Sequence, residues 1–178
     1  EEACAIPMIL SGPGIPAGKA VNTPVTLSDG AATILDAVGI DEAPVDGFHS
    51  LSEIANEPDD MNCVAFSEYY ANGADTASFM IRKGDYKYIH YVNYEPELFE
   101  QKLDSEEKSN VAKDPNHAAV LAELQGELTA RLDPDAINAE AQAAQAALVE
   151  AAGGREAVLS KGNFQGTPAP GEKAEYVL

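Results

Sequence analysis

Ser78-Phe79-Met80-Ile81-Arg82-Lys83-Gly84-Asp85-Tyr86-Lys87-Tyr88-Ile89-His90-Tyr91, residues 78–91, holds two apolar and aromatic runs separated by Lys-Gly-Asp. β-Branched and aromatic side chains suit a pleated surface, and glycine at a bend supplies the backbone freedom of a tight connection, so the stretch predicts a β-hairpin. On its N-terminal side Val64-Ala65-Phe66-Ser67-Glu68-Tyr69-Tyr70 alternates loosely, and on its C-terminal side lies the short run Glu97-Leu98-Phe99. Together these runs predict a small antiparallel sheet with strands near 64–70, 77–82, 86–91 and 97–99, one face packed and the other wet.

Helices flank it. Asp114-Pro115 places a capping residue before proline at the first helical position, and Val120, Leu121, Leu124, Leu128 and Leu132 lie on one stripe. This helix is expected to cover one face of the sheet. Asp133-Pro134 repeats the signal for a second helix ending at Gly153-Gly154, whose apolar side (Ile137, Ala141, Ala144, Leu148) is mostly alanine. Residues 161–178 read as an extended tail docking through Phe164 and Tyr176. Before the sheet, Thr26 to Gly39 predicts a short helix capped by Ser28 and closed by Gly39, with Ile34, Leu35 and Val38 as its apolar face. Residues 40–62 are polar and turn-rich.

The N-terminal run Ile6-Pro7-Met8-Ile9-Leu10 is apolar without alternation and stops at Gly12-Pro13-Gly14. Such a strand belongs inside a sheet covered on both faces. The glycines are not a phosphate cradle: Pro13 has no N–H, residue 17 is Ala where a third glycine would stand, and no Lys-Ser/Thr pair follows.

Length allows one ordinary domain, or one and a fraction, in 178 residues. Thirty acidic against 11 basic residues, a net charge of −19, repel nucleic-acid phosphates and anionic membranes and argue against both as partners. No apolar run reaches membrane-span length and no secretory leader pattern stands at the front. The cytoplasm is favoured slightly over the periplasm. Cys4 and Cys63 are too few for a disulfide framework; one bridge or two separate thiols remain open.

Chemistry-bearing motifs are sparse. His49, His90 and His117 form no ligand pair, no calcium loop of the D-x-D-x-D-G type occurs, and no serine sits in G-x-S-x-G. Glu68-Tyr69-Tyr70 sets a carboxylate beside two aromatic rings, a pattern able to hold an organic cation, or else simply a packed tyrosine pair beside an exposed acid. His90, near a strand end, is the histidine best placed to face a cleft. Glu68, Tyr69, Tyr70 and His90 are therefore the substrate-binding candidates. No catalytic residue and no metal ligand is assigned.

Taken in order, several stretches resemble the C-terminal third of the sulfatases, in the alkaline-phosphatase superfamily. They are Ile6 to Lys19, Leu27-Ser28-Asp29 with Thr33 to Ile40, Asp46-Gly47 with Ser50-Leu51, and Phe66 to Tyr69. Arg82 to Ile89, and Glu97-Leu98-Phe99 with Asp104, Glu106 and Asn110, complete the series. The stretch from Glu68 to Phe99 is most similar to choline-sulfatase-like members. Gly30 and Ala32 depart from the family's helix pattern, Ala5 stands where arginine is common, and Glu100 and Ser105 replace an Asp and a Pro.

The resemblance implies that Ile6–Leu10 belongs to a large central sheet whose other strands come earlier in a longer chain. It also implies a formylglycine nucleophile made from a Cys/Ser-x-Pro-x-Arg motif and a calcium-type divalent ion, both upstream. Cys4 is no such motif, since Ala5-Ile6-Pro7-Met8 follows it. The expected fold is α+β: a small four-stranded antiparallel sheet with flanking helices, plus an N-terminal strand and helix left over from a larger α/β sulfatase domain. The expected divisions are 1–62 as the end of that catalytic domain, 63–132 as the small-sheet subdomain with its packing helix, and 133–178 as Ala-rich helix and tail. The expected function is the C-terminal part of a bacterial sulfuric ester hydrolase acting on choline sulfate or another small organic sulfate ester, inactive by itself. Its partners would be the upstream catalytic segment and a second copy in a homo-oligomer. The rival is a non-catalytic binding or structural domain derived from the same subdomain.

Overall fold

The computed structural model describes residues 4–40, 48–70 and 74–160, together with the backbone of 163–164 and 176–177. The chain divides into two units, 1–134 and 135–178. The first carries α1 (Leu27–Ala37), α2 (Leu51–Asn56), the strands β1 (Val64–Tyr69), β2 (Ser78–Lys83), β3 (Tyr86–Tyr91) and β4 (Glu97–Glu100), and α3 (Ala118–Arg131).

The hairpin sets the register. Lys83 pairs with Tyr86 across the two-residue turn Gly84-Asp85, and Gly84 takes φ +55°, the left-handed conformation that glycine adopts without a Cβ penalty. From there the four strands pair in the order β1-β2-β3-β4, all antiparallel. The observed strands meet the expected ones within a residue. Because side chains alternate, Phe66, Phe79, Ile81, Tyr88 and Leu98 share one face, while Ala65, Met80, Arg82, Lys87 and Phe99 share the other.

Helix α3 covers the first face. Leu124 and Leu128 of its stripe are buried with Phe79, Ile81, Tyr88 and Leu98, all about 1% exposed or less. Each such side chain contributes roughly 1.5–3 kcal/mol on leaving water. Lys83 fixes the helix's angle by donating to Glu123 at 2.8 Å and Glu127 at 2.7 Å, and Arg131 reaches Glu127 at 2.8 Å. At the entry to α3, Asp114 Oδ1 accepts from the Asn116 N–H at 2.9 Å and Pro115 opens a 3₁₀ turn. Asn110 extends the sheet's edge: its Oδ1 accepts from the Leu98 N–H at 3.1 Å, and the Val111 N–H donates to the Leu98 carbonyl at 2.9 Å.

Helix α1 differs from expectation at its start. Its cap is Thr26, not Ser28, because the Asp29 carboxylate reaches back to the Thr26 N–H at 2.7 Å and so fixes where the helix begins. Its apolar side also faces outward, with Leu27 72% and Ile34 66% exposed. The polar side turns inward instead. Asp29 Oδ1 accepts from the His49 N–H at 3.1 Å, Thr33 Oγ1 from the Leu51 N–H at 2.8 Å, and Asp36 Oδ2 from Ser50 Oγ at 2.8 Å and Ser52 Oγ at 2.6 Å. Those two hydroxyls, Ser52 first, hold the Asp36 carboxyl below its usual range. Gly39, at φ +74°, closes α1: its N–H donates to the Asp36 carbonyl and that of Ile40 to Leu35. The Ser50 hydroxyl caps α2, a helix hidden in the stretch read as turns.

Residues 5–10 carry no β-ladder among the described residues, although a strand was expected there. Ladder hydrogen bonds need a neighbouring strand, and the described residues offer this segment none. Cys4 and Cys63 are both free thiols, and burial pushes that of Cys63 up.

In the second unit, α4 (Pro134–Ala151) and α5 (Arg155–Ser160) meet at Gly153 and Gly154, both at positive φ. β5 (Asn163–Phe164) and β6 (Tyr176–Val177) pair antiparallel. The Phe164 and Tyr176 side chains expected to dock the tail, and residues 46–47, lie outside the described residues.

Two outcomes follow for the α3 contact. Leu124→Ala is expected to destabilise the chain by about 2–5 kcal/mol, read as a lower urea midpoint at unchanged slope. Lys83, then Arg131, hold the Glu127 carboxyl below its ordinary 4.5. A carboxylate depressed in the folded state stabilises it above the unfolded value, and the gain disappears as pH falls through the folded one. Stability should therefore fall below 4.5 less steeply in Glu127→Gln than in the parent chain. Near neutrality that variant should lose about 0.5–1 kcal/mol.

Candidate functional site

The hairpin register distributes the four candidate residues. Glu68 stands opposite Phe79, which stands opposite His90, so Glu68 and His90 share the α3-facing side, two strand spacings or roughly 10 Å apart. Tyr69 projects from the opposite face and is 51% exposed. Tyr70 follows the end of β1, and its hydroxyl donates to Glu68 Oε1 at 3.2 Å. The structure thus joins Glu68 with Tyr70, puts His90 on their side of the sheet, and separates Tyr69.

His90 is half-buried. Its ring lies 6.5 Å from that of Phe79 and 6.4 Å from that of Tyr88, and its Nδ1 is 3.2 Å from the Tyr88 hydroxyl. Tyr88 is buried, and burial raises its phenol, with the Gln125 side chain acting in the opposite direction. Further acid–aromatic pairs flank this end of the sheet. Tyr94 donates to Asp75 Oδ2 at 2.6 Å, and Tyr91 to Glu97 Oε2 at 2.9 Å. Burial first, and Glu97 second, push the Tyr91 phenol up to about 12.

The opposite face walls a cleft of about 420 Å³ that the sequence reading missed. Ile6 and Met8 form one side, Thr26 and Leu27 another, and Met80, Arg82 and Lys87 the floor. Lys87 is 3% exposed and its Nζ donates to Glu107 Oε1 at 2.7 Å. Gln101 Nε2 donates to the same oxygen at 2.5 Å. Glu107 adopts φ +54°, an uncommon conformation for a side chain of its size, to bring its carboxylate there. Arg82 donates to the carbonyls of Gly84 and Tyr86, tying the cleft's floor to the hairpin turn. Strict period-2 reading of the hairpin would have found this signal, since it puts Arg82 and Lys87 on one face. Among the described residues no group of three or more His, Cys, Asp or Glu side chains is arranged to hold a metal.

With that geometry in place, known proteins supply a context. The family model described as N-sulphoglucosamine sulphohydrolase, C-terminal, matches residues 1–133. Arylsulfatase K of Danio rerio is 32% identical over 120 residues, covering 63% of this chain and 23% of that protein. The Delta 4,5-hexuronate-2-O-sulfatase of Bacteroides thetaiotaomicron is 30% identical over 138 residues, covering 69% of this chain and 27% of that protein. A structure solved in complex with its substrate D-glucosamine-2-N,6-O-disulfate superposes with TM-score 0.51 at 28% identity, over 60% of this chain and 25% of that one. The chain spans about a quarter of the length of these curated relatives.

The Lys87–Glu107 pair makes a specific demand on stability. Glu107→Ala takes from the buried Lys87 its carboxylate partner at 2.7 Å and should cost about 3–5 kcal/mol. The double variant Lys87→Met, Glu107→Leu should recover most of that loss in urea unfolding. A loss below about 1 kcal/mol in the single variant would mean that Lys87 does not depend on Glu107.

Proposed function

The chain belongs to the N-sulphoglucosamine sulphohydrolase C-terminal family, and from that membership we propose that it is the C-terminal subdomain of a sulfuric ester hydrolase acting on a sulfated saccharide. Membership over residues 1–133 carries the hydrolase reading. The saccharide reading rests on two similar proteins: one is a Delta 4,5-hexuronate-2-O-sulfatase, and the other is solved in complex with its substrate D-glucosamine-2-N,6-O-disulfate. Within such an enzyme this subdomain walls the substrate pocket, with Glu68, Tyr70 and His90 at one end of the sheet. The nucleophile and the metal ion that sulfatases use belong to the remainder of the protein. Among the described residues no group of three or more His, Cys, Asp or Glu side chains could hold that ion.

The outward apolar side of α1 and the exposed run at Ile6, Met8 and Ile9 support the same reading. Large apolar side chains left in water are the mark of an interface. The catalytic part of the enzyme is their natural cover, continuing a central sheet through residues 6–10.

A second reading keeps choline sulfate, or another cationic sulfate ester, as substrate. The Tyr70–Glu68 bond favours it, because a carboxylate held beside an aromatic ring attracts an organic cation. The third possibility, a non-catalytic domain, predicts no hydrolysis at all.

The test is sulfate release by the full-length protein containing this chain, offered D-glucosamine 6-sulfate, choline sulfate and an aryl sulfate. Turnover of the sugar sulfate with little of choline sulfate supports the proposal; the reverse favours the cationic reading. In that case Glu68→Gln should weaken choline sulfate about fivefold more than the aryl sulfate, as one exposed charge pair near 4 Å is worth about 1 kcal/mol. Release from none of the three would leave the non-catalytic domain. The 178-residue chain assayed by itself with calcium should release no sulfate.

A further inference from the structure

The connection from β4 to α3 is long, and its two ends meet. β4 ends at Glu100, and His117 stands immediately before α3 begins at Ala118. The loop between them carries Glu107 onto Lys87 and Asn110 onto Leu98. His117 sits at the neck of that loop. Its Nδ1 lies 3.2 Å from Asp114 Oδ2, its Nε2 lies 3.6 Å from Glu100 Oε2, and its ring meets Tyr86 of β3 edge-on at 6.0 Å. Only 19% of the His117 side chain is exposed, so little water screens it from the two acids.

Counting protons shows what this geometry can do. A carboxylate only accepts, so the Asp114 contact requires a proton on Nδ1. The Asn116 N–H first, and His117 after it, hold the Asp114 carboxyl below its usual range and so keep it an acceptor. A neutral imidazole then has no second proton to give, and its Nε2 turns a lone pair toward Glu100. Adding a proton makes Nε2 a donor and turns that unfavourable pair into an ion pair. The other groups on the packed elements are engaged differently. Lys83 of β2 pairs with Glu123 and Glu127 further along α3, and burial, then Glu100 and Asp85, raise the Tyr86 phenol.

We propose that His117 is a proton-operated staple at the neck of the loop between β4 and α3. Protonated, it ties β4 to the start of α3 through Glu100 and Asp114 together; neutral, it keeps Asp114 alone. The loop it closes brings Glu107 to the cleft's Lys87, so the staple sets with pH how firmly that side of the cleft is held. The inference does not depend on which substrate the enzyme takes. The Glu100 contact exists only in the protonated, folded chain. Its contribution is therefore present on the acid side of the histidine range, about pH 5–8, and is lost as pH rises through it.

Urea unfolding of the 178-residue chain near pH 5.5 and near pH 8 tests this. Glu100→Gln keeps the shape and removes the charge. At the lower pH it should raise the unfolding constant about fivefold, the worth of one partly exposed charge pair. At the higher pH the change should stay below about twofold, because the substituted amide can donate to the bare Nε2. His117→Gln combined with Glu100→Gln should lose little more at the lower pH than either single variant, since both remove the same contact. Equal losses from Glu100→Gln at the two pH values overturn the proposal, and so does a double loss equal to the sum of the singles. Carbon-13 spectra of the wild-type carboxylates give a reading that needs no variant to fold. The Glu100 resonance should move together with the His117 ring across the histidine range, and a Glu100 resonance that ignores the ring overturns the proposal as well.

Discussion

One backbone register governs everything else in the first unit. Gly84 lets the β2–β3 turn close in two residues, and the pairing of Lys83 with Tyr86 then dictates every opposition along both strands. A slip of one residue would move each side chain to the other face. Phe79 and Tyr88 would leave the core, and Lys87 would leave the cleft to be buried under α3. Misplacing two large aromatics, at roughly 1.5–3 kcal/mol each, and burying a cation, at several kcal/mol more, costs about as much as the whole marginal stability of a domain, about 5–15 kcal/mol. The cleft, the His90–Tyr88 contact and the α3 interface are thus consequences of the same turn.

Around that register the two faces are built differently. The α3 side is an apolar core rimmed by the Lys83, Glu123, Glu127 and Arg131 ion pairs, which set the angle of a helix already held by Leu124 and Leu128. The cleft side is held by charge in a drier setting: Lys87 is buried, and Glu107 accepts an unfavourable backbone conformation to stay beside it. A buried ion pair is weak evidence for stability but strong evidence for a fixed position, because neither partner can leave without the other. The hairpin is therefore held from one side by packing and from the other by an ion pair.

Local pattern made the sheet legible. Alternation, aromatic enrichment and one glycine sufficed for four strands within a residue, and Asp114-Pro115 for α3. What could not be read was anything settled by contacts distant in the chain. Ser28 looks like a cap until Asp29 reaches Thr26, and α2 is too short to show a helical period. The apolar side of α1 is legible as apolar, but hydrophobicity alone does not say which body covers it. Asp29, Thr33 and Asp36 satisfy backbone and hydroxyl groups of residues 49–52, and this polar junction turns the helix over. Among the candidate residues, the grouping of Glu68 with Tyr70 and the separation of Tyr69 needed strict alternation, and the cleft needed the fold of residues 6–28.

The inverted α1 also bears on how such a domain fits an enzyme. A helix that turns Asp29 and Thr33 toward residues of its own unit leaves Leu27, Ile34 and Val38 on its outward side. Ile6, Met8 and Ile9 offer more of the same in a segment with no ladder among the described residues. Apolar burial is non-directional and scales with area, so such a surface holds a neighbouring body firmly without fixing its orientation finely. Orientation must come from directional bonds, and a backbone ladder along residues 6–10 is the available source. The sheet, by contrast, is self-sufficient, with its register, core and ion pairs complete within the first unit. Side chains placed on that self-sufficient part keep their geometry while the attachment absorbs the variation, as precise positioning at a domain junction requires.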